Sequence, residues 1–140
     1  MRSAAIAAAL GALALGGLVA TGCGDGGGTA GGPGTGNLTI TYIPEPGVGA
    51  RTATLACPAT GSDQRVACEE IESLSSAFDP VPGDTACTEI YGGPEQITLS
   101  GTWAGEPVDT TLTRTNGCEI DRYEALAPVL LPLVGGPGGG

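Results

Sequence analysis

Hydrophobic and polar residues alternate along four segments of the chain. Alternation with a period of two predicts half-buried β-strands at residues 38–43, 51–57, 96–103 and 108–114. A Pro-Glu-Pro-Gly turn follows the first of these segments, and residues 104–107 form a hairpin loop between the last two. The sheet is therefore expected to be mostly antiparallel.

One segment between these strands has the period of an amphipathic helix. Its apolar residues recur at steps of four, three and four: Ala67, Ile71, Leu74 and Phe78. Ser62 or Asp63 is placed to cap the helix, and Pro80 and Pro82 end it.

The last apolar stretch, residues 125–134, contains Pro128 and Pro132 and is expected to be an edge strand or an extended cover. One helix among four or five strands makes an α+β fold.

Composition divides the chain into a folded part and two Gly-rich ends. The 26 Gly and 11 Pro are concentrated outside the strand segments. Residues 1–22 are typical of a signal peptide, residues 23–37 of a Gly-rich tether, and residues 135–140 of a disordered tail. Residues 38–134 are then the single domain.

Cys23 lies at the end of the apolar N-terminal run, after Ala20, Thr21 and Gly22. Small residues before a Cys resemble a bacterial lipobox, in which the Cys is acylated and becomes the new N-terminus. The alternative is ordinary signal-peptidase cleavage with release of the chain. Both predict an extracellular protein, held at the outer face of the cytoplasmic membrane in the first case and secreted in the second.

Charge limits the classes of partner and of chemistry. Fifteen Asp and Glu against five Arg give a net charge of −10, which opposes nucleic-acid binding. The chain has no His, so it lacks the usual general base and the commonest transition-metal ligand. We therefore expect no enzyme activity, no catalytic residue, no metal and no cofactor.

Cysteine usage agrees with export. Apart from Cys23, the chain has four cysteines, which indicates two disulfides in an exported domain: Cys57, Cys68, Cys87 and Cys118. Four cysteines allow three pairings. Proximity in the sequence favours Cys57 with Cys68 and Cys87 with Cys118.

Five short segments carry the remaining information through their order and spacing. They are residues 55–58, residues 67–68 at the helix, residues 87–94, residues 101–105 and residues 115–119. Taken together they resemble the subtilisin inhibitor-like family of secreted actinobacterial protease inhibitors. The Lys-free, Ala-, Gly- and Pro-rich composition also fits an actinobacterial source.

The resemblance covers roughly residues 38–123 and implies both a fold and a site. The fold is an antiparallel sheet of about five strands packed by two helices, with disulfides Cys57–Cys68 and Cys87–Cys118. The site is a substrate-like loop that enters the cleft of a serine protease. By position, Thr88 precedes the scissile bond Glu89–Ile90, Tyr91 follows it, and Asn116 supports the loop from beneath.

Glu89 departs from the family pattern, in which Lys, Arg, Met or Leu is familiar at that position. An anion is costly in an apolar pocket, so the target is either a glutamate-specific protease with a basic pocket or a subtilisin-like protease that is inhibited weakly. The alternative function is a cell-surface interaction or structural domain without inhibitory activity. The resemblance also raises a homodimer as an option.

Overall fold

The computed structural model describes residues 31–137. Its strands are β1 (Gly36–Ile43), β2 (Arg51–Cys57), β3 (Gln96–Trp103) and β4 (Glu106–Leu112). Its helices are α1 (Ser62–Leu74), a short 3-10 helix (Ser75–Phe78) and α2 (Gly117–Leu133). The predicted signal peptide, Cys23, most of the predicted tether and the last three residues lie outside the described part of the chain.

The strands form one antiparallel sheet in the order β2-β1-β3-β4. The α+β class, the antiparallel sheet and two disulfides are confirmed, but the described residues hold four strands and not about five. The expectation of an edge strand or an extended cover at residues 125–134 is wrong, because all of that stretch up to Leu133 belongs to α2.

Helix α2 forms despite Pro128 and Pro132. Its buried residues recur at helical spacing and continue to the residue after the helix: Tyr123, Leu126, Ala127, Val129, Leu130, Leu131 and Val134. Both prolines are exposed and lie four residues apart, on the side of the helix that faces solvent. A proline inside a helix costs about 3 kcal/mol, and burial of a Leu side chain returns about 1.5–3 kcal/mol, so the apolar face decides the conformation.

Helix α1 begins at Ser62 and not at a residue after it. Gly61 is its N-cap, with no side-chain cap hydrogen bond, so the predicted cap at Ser62 or Asp63 is wrong. The regular helix ends at Leu74, and the segment up to Phe78 tightens into the 3-10 helix. Ala67 and Ile71 are buried as the pattern predicts.

One face of the sheet makes the core. Alternate residues of all four strands are buried on it: Leu38, Ile40, Tyr42, Leu55, Cys57, Ile97, Leu99, Trp103, Val108 and Leu112. Helix α1 packs near β2, and helix α2 packs on α1 and near β4. The other face is polar and carries cross-strand hydroxyl pairs such as Thr41–Thr52 and Thr98–Thr111.

The two ends of the sheet carry different parts of the chain. At one end, Gly36 begins β1 opposite Trp103, so the N-terminal segment enters beside the β3–β4 turn. There Ala104 N–H donates to Thr35 O at 2.7 Å, and Gly34 N–H donates to Glu72 Oε2 at 2.5 Å. At the other end, Ile43 lies opposite Gln96, the first residue of β3. The long connection that precedes β3 therefore leaves the sheet at the end opposite to the N-terminal segment.

The described helices of residues 31–137 include none that is both long enough and apolar enough to span a bilayer.

Candidate functional site

The connection between the 3-10 helix and β3 runs through residues 79–95 without forming a helix or strand. It contains the four residues singled out from the sequence, and all four are exposed: Thr88, Glu89, Ile90 and Tyr91. The relative exposure of Ile90 is 57% and that of Tyr91 is 66%. Neighbouring large apolar side chains held in solvent are typical of a contact surface.

The Cys87–Cys118 disulfide fixes the loop just before this exposed segment. The Cα atoms of the two residues are 5.4 Å apart. Cys118 is the second residue of α2, so the disulfide attaches the loop to the start of a helix that is packed in the core. The second disulfide, Cys57–Cys68, joins the end of β2 to α1 and lies away from the loop.

Two backbone hydrogen bonds hold the exposed segment on either side. Gly117 N–H donates to Thr88 O at 2.9 Å, and Gly92 N–H donates to Arg114 O at 2.7 Å. Between them, residues 89–91 make no backbone–backbone hydrogen bond with any described residue. Three consecutive residues are thus free to pair with a partner while their flanks stay attached to the domain.

Gly117 allows the loop to lie close to the helix start. A β-carbon at this position would collide with the Thr88 side chain. The absence of a side chain therefore lets the Gly117 N–H reach the loop backbone.

Asn116 organises the start of α2. Its side-chain Oδ1 accepts a hydrogen bond from Glu119 N–H at 3.0 Å, which is an N-cap interaction. The hydrogen bond from this turn to the loop comes from the backbone of Gly117, the next residue. Asn116 thus fixes the helix end from which Gly117 and Cys118 hold the loop.

An open groove of ≈ 590 Å³ lies behind the loop. Glu89, Ile90 and Tyr91 line one part of it, and Asn116 and Glu119 line another. The Glu89 carboxylate forms neither a hydrogen bond nor an ion pair with any described residue, so its charge is available to a partner.

Sequence reasoning missed the residues that attach the loop to the domain. Arg114, Gly117 and Gly92 carry its two flanking hydrogen bonds together with Thr88. One signal was available, because Asn116 followed three residues later by Glu119 is typical of a helix N-terminus.

Groups of three or more Asp, Glu or Cys side chains able to hold a metal ion do not occur within residues 31–137.

These features define a small, disulfide-bonded α+β domain that presents residues 88–91 in an exposed loop attached to the start of a helix. A family model described as subtilisin inhibitor-like matches residues 33–116, which is more than half of the chain. The chain therefore belongs to the subtilisin inhibitor-like family. No curated protein matches it in a sequence search.

The match includes the exposed segment and Asn116, and it ends two residues before Cys118. Membership supports a general role as an inhibitor of subtilisin-like proteases, with a serine protease as the partner. The family consists of inhibitors and not of enzymes, which fits a chain without His.

Proposed function

We propose that this chain inhibits an extracellular serine protease by presenting Thr88, Glu89, Ile90 and Tyr91 as a substrate-like loop. The observation that carries the proposal is the exposed segment with a fixed point on each side. Thr88 O and Gly92 N–H are bonded to the domain, and Cys87 is joined to Cys118. An accessible loop whose two flanks are already held by the domain loses less conformational freedom on binding than a free peptide does, so affinity is gained.

The same attachments explain how inhibition would survive cleavage of the Glu89–Ile90 bond. Cleavage divides the chain after residue 89, but Cys87 and Cys118 lie on opposite sides of the cut and keep the two parts covalently joined. In the acyl-enzyme, the Glu89 carbonyl carbon is bonded to the protease serine oxygen. The Ile90 amine then attacks that carbon, the peptide bond re-forms as the ester bond to the serine oxygen breaks, and the proton that the amine gives up passes to the serine oxygen.

Glu89 sets the target class in this proposal. Its carboxylate would enter the specificity pocket of the protease, where an apolar lining penalises an unpaired charge. A basic pocket supplies a partner for that charge. Glutamate-specific serine proteases are therefore the favoured targets, and subtilisin-like proteases are expected to bind more weakly.

The decisive experiment measures inhibition by the full chain, produced by secretion from a bacterial host. Glutamate-specific, subtilisin-like and trypsin-like proteases are each titrated, and the product is mapped for cleavage sites. We expect stoichiometric inhibition of the first class and a single slow cleavage at Glu89–Ile90. Rapid cleavage at the rate of a linear peptide of the same sequence would reject the inhibitor and favour an interaction domain.

We further propose that Cys23 is acylated and holds the domain at the outer face of the cytoplasmic membrane. The support is the apolar run that ends in Ala20, Thr21, Gly22 and Cys23. Expression of wild type and Cys23→Ala in an actinobacterial host, followed by fractionation, tests it. Wild type should partition with membranes and the variant into the medium; equal partition of the two would reject acylation.

A further inference from the structure

Arg114 lies under the part of the loop that follows the proposed scissile bond. Its backbone oxygen accepts the Gly92 N–H at 2.7 Å. Its side chain extends along the same segment: Nη1 is 3.4 Å from Glu95 Oε2, and a β-carbon on Gly92 would lie 3.1 Å from Nε. Arg114 therefore contacts residues 92–95 at both ends, with its main chain at Gly92 and its side chain at Glu95.

The other side of the Arg114 guanidinium faces helix α2. Its Cζ atom is 5.6 Å from the centroid of the Tyr123 ring, and Nη2 is 3.8 Å from Glu124 Oε1. Tyr123 is buried in the core. Arg114 thus lies between residues 92–95 of the loop and helix α2.

Packing alone does not account for an arginine at this position. The Nε atom is buried and finds no hydrogen-bond acceptor among the described residues, which costs free energy that an apolar side chain would avoid. The terminal nitrogens Nη1 and Nη2 instead pair with two carboxylates, that of Glu95 in the loop and that of Glu124 in α2. A planar, permanently charged group that stacks on an aromatic ring and reaches two carboxylates is a specific property of arginine.

We propose that Arg114 is a positioning residue that holds the segment after the scissile bond, so that the Ile90 amine stays beside the acyl-enzyme carbon and re-forms the bond. The inference rests on the proposed inhibitory function. The disulfide joins the two cleaved parts at Cys87 and Cys118, whereas Arg114 fixes the direction of the new amino end through Gly92 and Glu95. Without this contact the amine moves away, water reaches the acyl group, and the inhibitor is consumed as a substrate.

The test compares Arg114→Met and Arg114→Lys with wild type, with Arg65→Met as the matched control. Arg65 forms an exposed pair with Glu69 on α1, away from the loop. Two quantities are measured with a protease that wild type inhibits: the inhibition constant, and the ratio of cleaved to intact chain at equilibrium, approached from both sides. Thermal unfolding establishes that each variant is folded.

We expect Arg114→Met to raise both the inhibition constant and the cleaved-to-intact ratio by tenfold or more, and Arg114→Lys to recover part of the loss. Arg65→Met should change neither quantity. A folded Arg114→Met whose cleaved-to-intact ratio equals that of wild type overturns the positioning role. If that variant does not fold, Glu95→Gln decides instead: a ratio raised several-fold supports the role, and an unchanged ratio overturns it.

The two proposals fail in different ways. A wild-type chain that inhibits no serine protease rejects the inhibitory function and, with it, the role of Arg114. A wild-type chain that inhibits, together with a folded Arg114→Met that inhibits and resists cleavage equally well, rejects the role of Arg114 alone.

Discussion

Glu89 is the residue whose charge would decide which protease the loop accepts. It is exposed on the loop, and its carboxylate is not engaged by any described residue. Its replacement should therefore change recognition without disturbing the domain.

The first prediction concerns substitutions of Glu89. Glu89→Met or Glu89→Leu should strengthen inhibition of subtilisin by roughly a hundredfold, because a few kcal/mol of burial cost is removed at about 1.4 kcal/mol per tenfold. Glu89→Lys should create inhibition of trypsin, and wild type should remain best against a glutamate-specific protease. Inhibition constants for each variant against the three proteases measure this.

Glu106→Met serves as the control, since it removes an exposed acid from the opposite end of the sheet. It should leave all three constants unchanged. Glu89 variants that are equally inert toward every protease would show that residues 88–91 are not a reactive site.

The ionisation of Tyr123, a buried core residue, makes the stability of the domain depend on pH. Burial raises the pKa of the Tyr123 phenol to about 12, with smaller raising effects from Tyr42 and Glu95, while Arg114 acts in the opposite direction. The folded state therefore favours the neutral phenol above pH 10, where the phenol of an unfolded chain ionises.

The second prediction follows from the sign of this shift. The contribution of the Tyr123 phenol to the free energy of unfolding is complete below about pH 10. It is lost as the pH rises toward about 12, because unfolding then releases a proton from the phenol. The total loss is at most about 2–3 kcal/mol. Denaturant unfolding from pH 9 to 12 should show that the free energy of unfolding of wild type declines with pH and that the decline is shallower in Tyr123→Phe. Equal declines in the two proteins would contradict the prediction.

Arg122 connects three elements beneath the loop. Its guanidinium donates to Ala77 O at 3.2 Å, Phe78 O at 3.4 Å and Thr110 Oγ1 at 2.8 Å, and it pairs with Glu119 at 2.8 Å. The exposed fraction of its side chain is 12%. The 3-10 helix, β4 and α2 are thus held together by a single side chain.

Substitution of Arg122 gives the third prediction. Arg122→Met should lower the free energy of unfolding by about 2–4 kcal/mol, because it leaves three partly buried acceptors and the Glu119 carboxylate without this donor. Arg65→Met removes an exposed pair and should cost at most about 0.5 kcal/mol. Chemical denaturation measures both, and equal losses would mean that the buried network contributes little.

The elements that the sequence predicted well are those with a short and simple pattern. Alternation places β2 and β3 at the residues where the structure has them. Helix α2 was not predicted from the sequence, because Pro128 and Pro132 argue against a helix. The apolar residues of this stretch nevertheless recur with the period of a helix.

The family resemblance predicted the loop residues, because it places the scissile bond at a fixed distance from Cys87, which is a local feature of the sequence. The contacts of Arg114 and Gly117 with the loop depend on how distant parts of the chain meet, which no local pattern contains.

The disulfides act at the scale of the whole molecule. Cys57–Cys68 spans 11 residues and Cys87–Cys118 spans 31, so the second restricts the unfolded chain more. On the loop-closure model the two contribute about 3 and about 4 kcal/mol.

Removal of each disulfide gives the fourth prediction. The pair Cys87→Ser with Cys118→Ser should destabilise the domain by about 4 kcal/mol and should separate into two chains once Glu89–Ile90 is cut. The pair Cys57→Ser with Cys68→Ser should lose about 3 kcal/mol but keep its cleaved parts joined. Denaturant unfolding and non-reducing mass analysis after proteolysis measure these effects, and joined fragments in the first variant would contradict the assignment of the cut.

The opposite placement of the N-terminal segment and the loop has a consequence for display on a surface. Strand β1 separates the two ends by roughly 24 Å, at about 3.4 Å per residue. The C-terminal segment, in contrast, lies at the loop end of the sheet, where Gly135 O accepts a hydrogen bond from Arg51, the residue opposite Tyr42. A chain immobilised on a sensor through its N-terminus should bind a protease as fast as the free chain does, whereas immobilisation through its C-terminus should slow association. Equal rates in the two orientations would show that the direction in which the domain faces does not matter for recognition.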